Sequence, residues 1–107
     1  MEPEKVNLVV TNNQSDSRFE ADIGGKIAIL TYRRLGKSLV IDHTEAPPDL
    51  QGRGIASKLA NAALEFARSQ HLEVVPVCPY VTAYLREHPE YQDVVSAKNL
   101  KRLLDEN

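Results

Sequence analysis

The sequence contains few of the residues on which several classes of protein depend. It has one cysteine, three histidines and no tryptophan in 107 residues. One cysteine excludes an internal disulfide, and a lone cysteine with scattered histidines lacks the paired ligand spacing of zinc sites. We therefore predict neither a disulfide scaffold nor a bound metal.

Charge and hydropathy exclude further classes of protein. The formal net charge is −2, so the chain has no basic excess for binding nucleic acid or an anionic membrane surface. It also has no apolar run long enough to cross a bilayer and no secretory signal. Together with the single cysteine, these features predict a protein of the reducing cytoplasm. The length and the 42% of hydrophobic residues fit one globular domain over residues 1–107.

The most informative stretch joins an apolar run of strand type, Ser38–Thr44, to a helical pattern from Gly54 to Arg68. Gly52 and Gly54 allow the backbone to turn sharply and to approach a ligand closely. The first helical turn presents unpaired N–H groups and the positive end of the helix dipole. These features predict an anion site suited to phosphate, although an ordinary loop that opens a helix can have the same residues.

Two common phosphate motifs are excluded. The spacing does not fit a Walker loop, which also ends in Lys-Ser/Thr. Ser57 stands where the third glycine of a dinucleotide fingerprint would fall, and no acidic residue follows at the expected distance.

The rest of the pattern predicts a mixed α+β fold. An antiparallel meander of four strands is followed by a helix and a fifth strand, and a strand–helix–strand order implies a right-handed crossover with a parallel pair. Pro76 and Pro79 remove ladder donors, so the fifth strand should splay away or have a free edge. The predicted strands are Val6–Val10, Arg18–Ile23, Lys26–Arg33, Leu39–Thr44 and Leu72–Pro79.

Turns and helices complete this prediction. A turn-rich break at Asn12–Ser17 separates the first two strands, and Gly24-Gly25 indicates a hairpin. Short helices are expected over Val81–His88 and after Ser96. The apolar face of the long helix is predicted from Ile55, Leu59, Ala62, Ala63 and Phe66, and that of the last helix from Leu100, Leu103 and Leu104.

These residues resemble the GNAT acyltransferase superfamily. Gln51-Gly52-Arg53-Gly54-Ile55-Ala56 fits its Gln/Arg-x-x-Gly-x-Gly/Ala signature at every specified position. The strand carrying His43, the Cys78-Pro79-Tyr80 ending and the Tyr84-x-x-x-x-Pro89 segment are similar to the minimal, YjdJ-type GNAT domain. The resemblance covers about residues 6–95.

The resemblance implies an acetyl-CoA-dependent N-acyltransferase. Amides of the signature turn would hold the pyrophosphate of coenzyme A, and the pantetheine arm would lie between two splayed strands. The acceptor would be an unidentified amine, either a small molecule or a protein, and the chain would be a monomer or a weak homodimer. The candidate coenzyme-binding residues are Thr44, Glu45, Ala46, Gln51, Gly52, Arg53, Gly54, Ile55, Ala56 and Lys58.

Four residues are candidates for proton transfer or nucleophilic catalysis. His43 could act as a base, since imidazole titrates near neutral pH, and strict alternation places it on the face of Leu39 and Ile41. Cys78 could be a nucleophile that approaches His43, or it could be a small buried hydrophobe. Glu45, on the His43 face, could be a base or a solvated carboxylate.

The fourth candidate is a tyrosine that would protonate the coenzyme thiolate. The resemblance implies Tyr84 for this role, and Tyr80 is the alternative; either ring could also serve only in packing. Arg86 and His88 are weaker candidates for phosphate contacts.

One departure from the superfamily supports a second hypothesis. Full-length members have two helices between their first strands, and these shape the acceptor site. Here only the Asn12–Ser17 turn lies between the first two strands. This predicts an acceptor site that is open or is built with a partner. The alternative function is therefore a coenzyme A-binding module with little or no catalysis.

Overall fold

The computed structural model describes residues 9–50 and 54–105. The described residues form three α-helices and five strands, with short 3₁₀ helices at Pro48–Leu50 and Pro89–Val94. The strands are β1 Val10–Asn13, β2 Arg18–Ile23, β3 Lys26–Leu35, β4 Ser38–Glu45 and β5 Glu73–Pro76. The α-helices are α1 Ile55–Ser69, α2 Pro79–Glu87 and α3 Ala97–Asp105.

The five strands form one sheet in the order β1-β2-β3-β4-β5. The first four are antiparallel neighbours, whereas β4 and β5 are parallel and are connected through α1. Gly24 and Gly25, with φ of 63° and 88°, close the β2–β3 hairpin in the left-handed region that two-residue turns require. The predicted meander, crossover and parallel pair are thus confirmed.

One face of the sheet is covered, and the opposite face is polar. Side chains of the covered face pack with α1, α2 and the Pro89–Val94 segment in a single apolar core. The opposite face carries ion pairs such as Arg18–Glu20 and Arg33–Asp42. This division is typical of an antiparallel sheet that has solvent on one side.

Several predicted boundaries and faces were wrong. Asn12 and Asn13 belong to β1, because both pair with β2, and residues 6–8 lie outside the described range. In α1, the fully buried positions include Ala60, Leu64 and Ala67. Of the predicted face, Ile55, Leu59 and Ala63 are buried, whereas Ala62 and Phe66 are only partly buried.

The last helix also differs from its prediction. Leu103 is buried and Leu100 is half-buried, but Leu104 is 52% exposed. A helix at the margin of the domain contacts the core with one narrow stripe, so its neighbouring apolar positions face solvent.

A polar cluster fastens the Pro89–Val94 segment to α1. The Tyr91 hydroxyl donates to Glu65 at 2.6 Å and accepts from Asn61 at 2.5 Å. The Arg68 guanidinium lies 5.0 Å from the Tyr91 ring centroid and pairs with Asp93 at 2.6 Å. The hydrogen bond to the Glu65 carboxylate, with burial, raises the pKa of Tyr91 to about 12.

This cluster predicts a loss of stability at high pH. Because the folded pKa of Tyr91 lies above the ordinary 10.0, its contribution is complete below pH 10 and is lost as pH rises to about 12. The difference in unfolding free energy between wild type and Tyr91→Phe should be constant from pH 8 to 10 and should then shrink. Urea denaturation at each pH measures it, and a difference that stays constant to pH 12 would contradict the assignment.

Candidate active site

Strands β4 and β5 separate beyond Ile41. Their parallel register runs from Ser38↔Glu73 to Ile41↔Pro76 and ends there, while β4 continues to Glu45. The backbone N–H groups of Val77 and Cys78 both donate to the Ile41 carbonyl oxygen, at 3.0 and 2.9 Å. The chain therefore leaves the sheet at this point and enters α2, which opens a gap beside the end of β4.

A β-bulge in β4 decides which side chains border this gap. Thr31 pairs with His43, but the next residue of β3, Tyr32, pairs with Ile41, so Asp42 is an extra residue in β4. The Asp42 carboxylate accepts two hydrogen bonds from Arg33, both at 2.9 Å. One extra residue moves every later side chain of β4 to the opposite face of the sheet.

The bulge places His43 on the polar face, so the predicted alternation was wrong. Directly paired residues share a face, and its partner Thr31 lies between the buried Leu30 and Tyr32. The His43 side chain is 62% exposed, and its Nε2 lies 3.4 Å from a Glu45 carboxylate oxygen. The expectation that Glu45 shares the face of His43 is confirmed.

Thr44 takes the inward position instead. It pairs with the buried Leu30, and its Oγ1 lies 3.4 Å from the Cys78 Sγ. Cys78 is 3% exposed and directly precedes the first residue of α2. The predicted approach of His43 to Cys78 is therefore not formed, since Thr44 is the β4 side chain that contacts the sulfur.

The helix that follows the signature turn begins without a side-chain cap. Gly54 is its N-cap, with φ 75° and ψ 12°, and no acidic side chain occurs in the first turn. Its carbonyl accepts the first helical bond from Lys58 N–H at 3.1 Å, which leaves the earlier amides of α1 as donors. Gln51, Gly52 and Arg53 lie outside the described residues.

The two tyrosines of α2 have different surroundings. Tyr80 is hydrogen-bonded to Ser57 in the first turn of α1, and burial raises its pKa. The Tyr84 ring is buried and stacks on His88 at 3.9 Å between ring centroids. The first turns of α1 and α2 are thus joined by a tyrosine–serine contact at the gap.

Known proteins share this sequence pattern and this fold. A sequence profile described as GCN5-related N-acetyl-transferase matches residues 18–94. The chain belongs to this family. The match spans β2 to the end of the Pro89–Val94 segment, and so includes the bulged strand, α1 and the gap.

Curated relatives of this N-acetyltransferase family member occur in vertebrates. The chain is 43% identical over 63 residues to Protein NATD1 of Gallus gallus and of Mus musculus, covering 58% of the chain and 57% of each relative. The chain thus spans little more than half the length of these relatives. Protein NATD1 of Danio rerio is 39% identical over 89 residues, which cover 78% of this chain and 81% of the relative.

A solved structure shares the fold. It is the NMR solution structure of a GCN5-like protein from Staphylococcus aureus that is described as a candidate N-acetyltransferase. The TM-score is 0.67 at 29% identity, over 84% of this chain and 89% of the other. This agreement supports the mixed α+β fold and the family assignment.

Three candidate phosphate contacts of this family member, namely Lys58, Arg86 and His88, have different surroundings. Lys58 is exposed on the second turn of α1. Arg86 donates from Nε to the Leu103 carbonyl at 3.0 Å and so connects α2 to α3. His88 stacks on Tyr84 and contacts its carbonyl oxygen through Nδ1 at 2.9 Å. Arg86 and His88 thus make contacts within the chain, and their role in phosphate contacts stays a prediction.

Two residues make contacts that the sequence did not reveal. Ser57 was considered only as a missing glycine, and its contact with Tyr80 depends on how α1 and α2 meet. Thr44 was named only as a coenzyme contact, because the bulge that turns it toward Cys78 leaves no signal in the alternation.

Residues 9–50 and 54–105 contain neither a membrane-spanning helix nor a cluster of side chains suited to a metal ion. Within those ranges, no helix is long and apolar enough to cross a membrane. No cluster of three or more His, Cys, Asp or Glu side chains suited to a metal ion occurs in that part of the chain.

Proposed function

We propose that this chain is an acetyl-CoA-dependent N-acyltransferase that transfers an acetyl group to an amine. The observation that carries the proposal is the gap that opens between β4 and β5 where the chain enters α2, whose Tyr80 is hydrogen-bonded to Ser57 in the uncapped first turn of α1. A gap of this kind can take an extended arm, while the adjacent helix terminus takes its anionic end. Family membership supports the reaction class.

The donor groups present at α1 fit a coenzyme A pyrophosphate. The amides of Ile55, Ala56 and Ser57 precede the first helical hydrogen bond donor, Lys58, and so can donate to phosphate oxygens. The first turn carries no carboxylate that would repel an anion, and Lys58 adds a positive charge one turn along. Thr44, Glu45 and Ala46 are assigned to the pantetheine side.

We assign the chemical roles as follows. When bound, acetyl-CoA supplies an acyl group that is already activated as a thioester. Cys78 is assigned to the reacting centre beside Thr44. His43 and Glu45 lie on the opposite, polar face of β4, so we assign them to take the proton of the acceptor amine through water at the end of the strand. Tyr84 is assigned to protonation of the departing thiolate, with Tyr80 as its alternative.

A second candidate function is a coenzyme A-binding module with little or no catalysis. It is favoured by the short connection between β1 and β2, where residues 14–17 replace any helix. The side chains of His43 and Glu45 are 62% and 67% exposed, so the described part of the acceptor side is open to water. Acetyl transfer to any amine by the purified protein would exclude this alternative.

Substitution of Gly54 by a β-branched residue should weaken coenzyme binding. Its φ of 75° is strained for a β-branched residue, so Gly54→Val should displace the first amides of α1 and weaken acetyl-CoA binding by about tenfold or more. Calorimetric titration of acetyl-CoA, coenzyme A and dephospho-coenzyme A measures this effect.

Gly36→Val is a matched control for this experiment. Gly36 has φ 59° and, like Gly54, has no atom within 4 Å of an added Cβ, but it lies in the β3–β4 turn. Gly36→Val should therefore lower the free energy of unfolding about as much as Gly54→Val does, and it should leave the affinity for acetyl-CoA unchanged. Equal affinities of both variants and wild type would contradict the site, and no binding by wild type would overturn both coenzyme hypotheses.

A further inference from the structure

We infer that Thr44 is a positioning residue that holds the Cys78 sulfur in the gap through a hydrogen bond from its hydroxyl. The inference deepens the proposed function and rests on it, since it concerns the thiol that we assign to the reacting centre. It arises from a contact that strict alternation along β4 would forbid.

The position of the Thr44 hydroxyl follows from the bulge. Asp42 is the extra residue of β4, and the two hydrogen bonds from Arg33 hold its carboxylate on the polar face. The next inward residue is then Thr44, opposite Leu30, and its Oγ1 reaches the Cys78 Sγ at 3.4 Å. The Arg33–Asp42 pair and the Thr44–Cys78 contact therefore lie on opposite sides of the same strand.

The backbone of Cys78 is fixed independently of this contact. Its N–H donates to the Ile41 carbonyl at 2.9 Å, and its carbonyl accepts from the Thr82 N–H at 3.0 Å and the Thr82 hydroxyl at 3.1 Å. The remaining freedom is rotation about the Cα–Cβ bond, which moves the sulfur. A hydroxyl beside the sulfur selects one rotamer, so Thr44 orients the thiol without touching the backbone.

The chemistry of the pair favours threonine as a donor. A hydroxyl has one O–H and two lone pairs, so it can accept from the S–H of a thiol or donate to a thiolate. Donation to a thiolate is the stronger of these two bonds, and it holds the sulfur in the orientation of the contact. A valine has the same shape but cannot donate.

Modification of Cys78 by methyl methanethiosulfonate tests the inference on the full chain without coenzyme. The protein has one cysteine, so the reaction reports a single thiol. Thr44→Val should lower the second-order rate by about five- to tenfold, the loss expected for one hydrogen bond, and Thr44→Ser should remain within about twofold of wild type. If the valine variant does not fold, Thr44→Ala carries the same expectation as Thr44→Val.

Three results would overturn the inference. An unchanged rate in Thr44→Val would show that the hydroxyl does not act on the sulfur. A faster rate would show that Thr44 only covers Cys78. No reaction of the folded wild-type protein would show that the thiol is not available for chemistry.

Kinetics separate this inference from the proposed function. With an amine acceptor, Thr44→Val should lower kcat about as much as it lowers thiol reactivity, because both depend on the same sulfur. If wild type transfers no acetyl group, the proposed function fails. The thiol measurement still decides whether Thr44 controls Cys78.

Discussion

Replacement of Cys78 by alanine is expected to lower the rate of acetyl transfer by on the order of 10²-fold or more, with little change in acetyl-CoA affinity. In the proposed reaction the Cys78 sulfur attacks the thioester carbonyl, releases coenzyme A as the thiolate and then passes the acetyl group to the amine. The separation of β4 and β5 leaves this sulfur beside the end of β4. Coenzyme binding is assigned mainly to α1 amides, which do not contact Cys78. Initial rates with an amine acceptor and calorimetric titration measure the two quantities.

Cys78→Ser is the matched variant for this experiment. It keeps the shape and a polar atom within reach of Thr44, but an alcohol is a far weaker nucleophile than a thiolate. A nucleophilic role predicts that serine is nearly as inactive as alanine. Full activity in both variants would mean that the amine attacks the thioester directly and that Cys78 is a small buried hydrophobe.

Replacement of Leu64 by alanine is expected to lower the free energy of unfolding by about 3–5 kcal/mol. Leu64 lies on α1, is fully buried and belongs to the core that joins this helix to the sheet. Small domains have total stabilities of about 5–15 kcal/mol, so this loss should lower Tm by more than about 10 °C. Thermal denaturation followed by circular dichroism measures the shift.

Leu104→Ala is the matched control, because it makes the same substitution at an exposed position. Leu104 lies on α3 and is 52% exposed, so truncation removes little buried area and should change stability by less than about 0.5 kcal/mol. Similar Tm values for the two variants would contradict the core described above. A large effect of Leu104→Ala would mean that its exposed side is covered in solution.

The fold could be predicted from the sequence because its signals are local. Alternation over Arg18–Ile23, the Gly24-Gly25 turn and the helical spacing after Gly54 each indicate one element. The handedness of strand–helix–strand units then fixes the parallel pairing of β4 with β5. The prolines at 76 and 79 also predicted the separation of these strands.

The candidate site could be predicted only in part. The turn before α1 is visible because glycine and the family signature mark it in the chain. The pairing of His43 with Cys78 was wrong, since it assumed an unbroken alternation along β4. Asp42 looks like any polar strand residue, and only the shift in register between β3 and β4 identifies the bulge.

The sequence by itself thus determined the elements, their order and the family to which the chain belongs, because propensity, spacing and motif are properties of neighbouring residues. The tertiary structure decided which side chains meet at the gap. One inserted residue in β4 exchanges the faces of His43 and Thr44, and the meeting of two helix starts brings Tyr80 to Ser57. Such contacts depend on register and packing between distant segments, which no local pattern encodes.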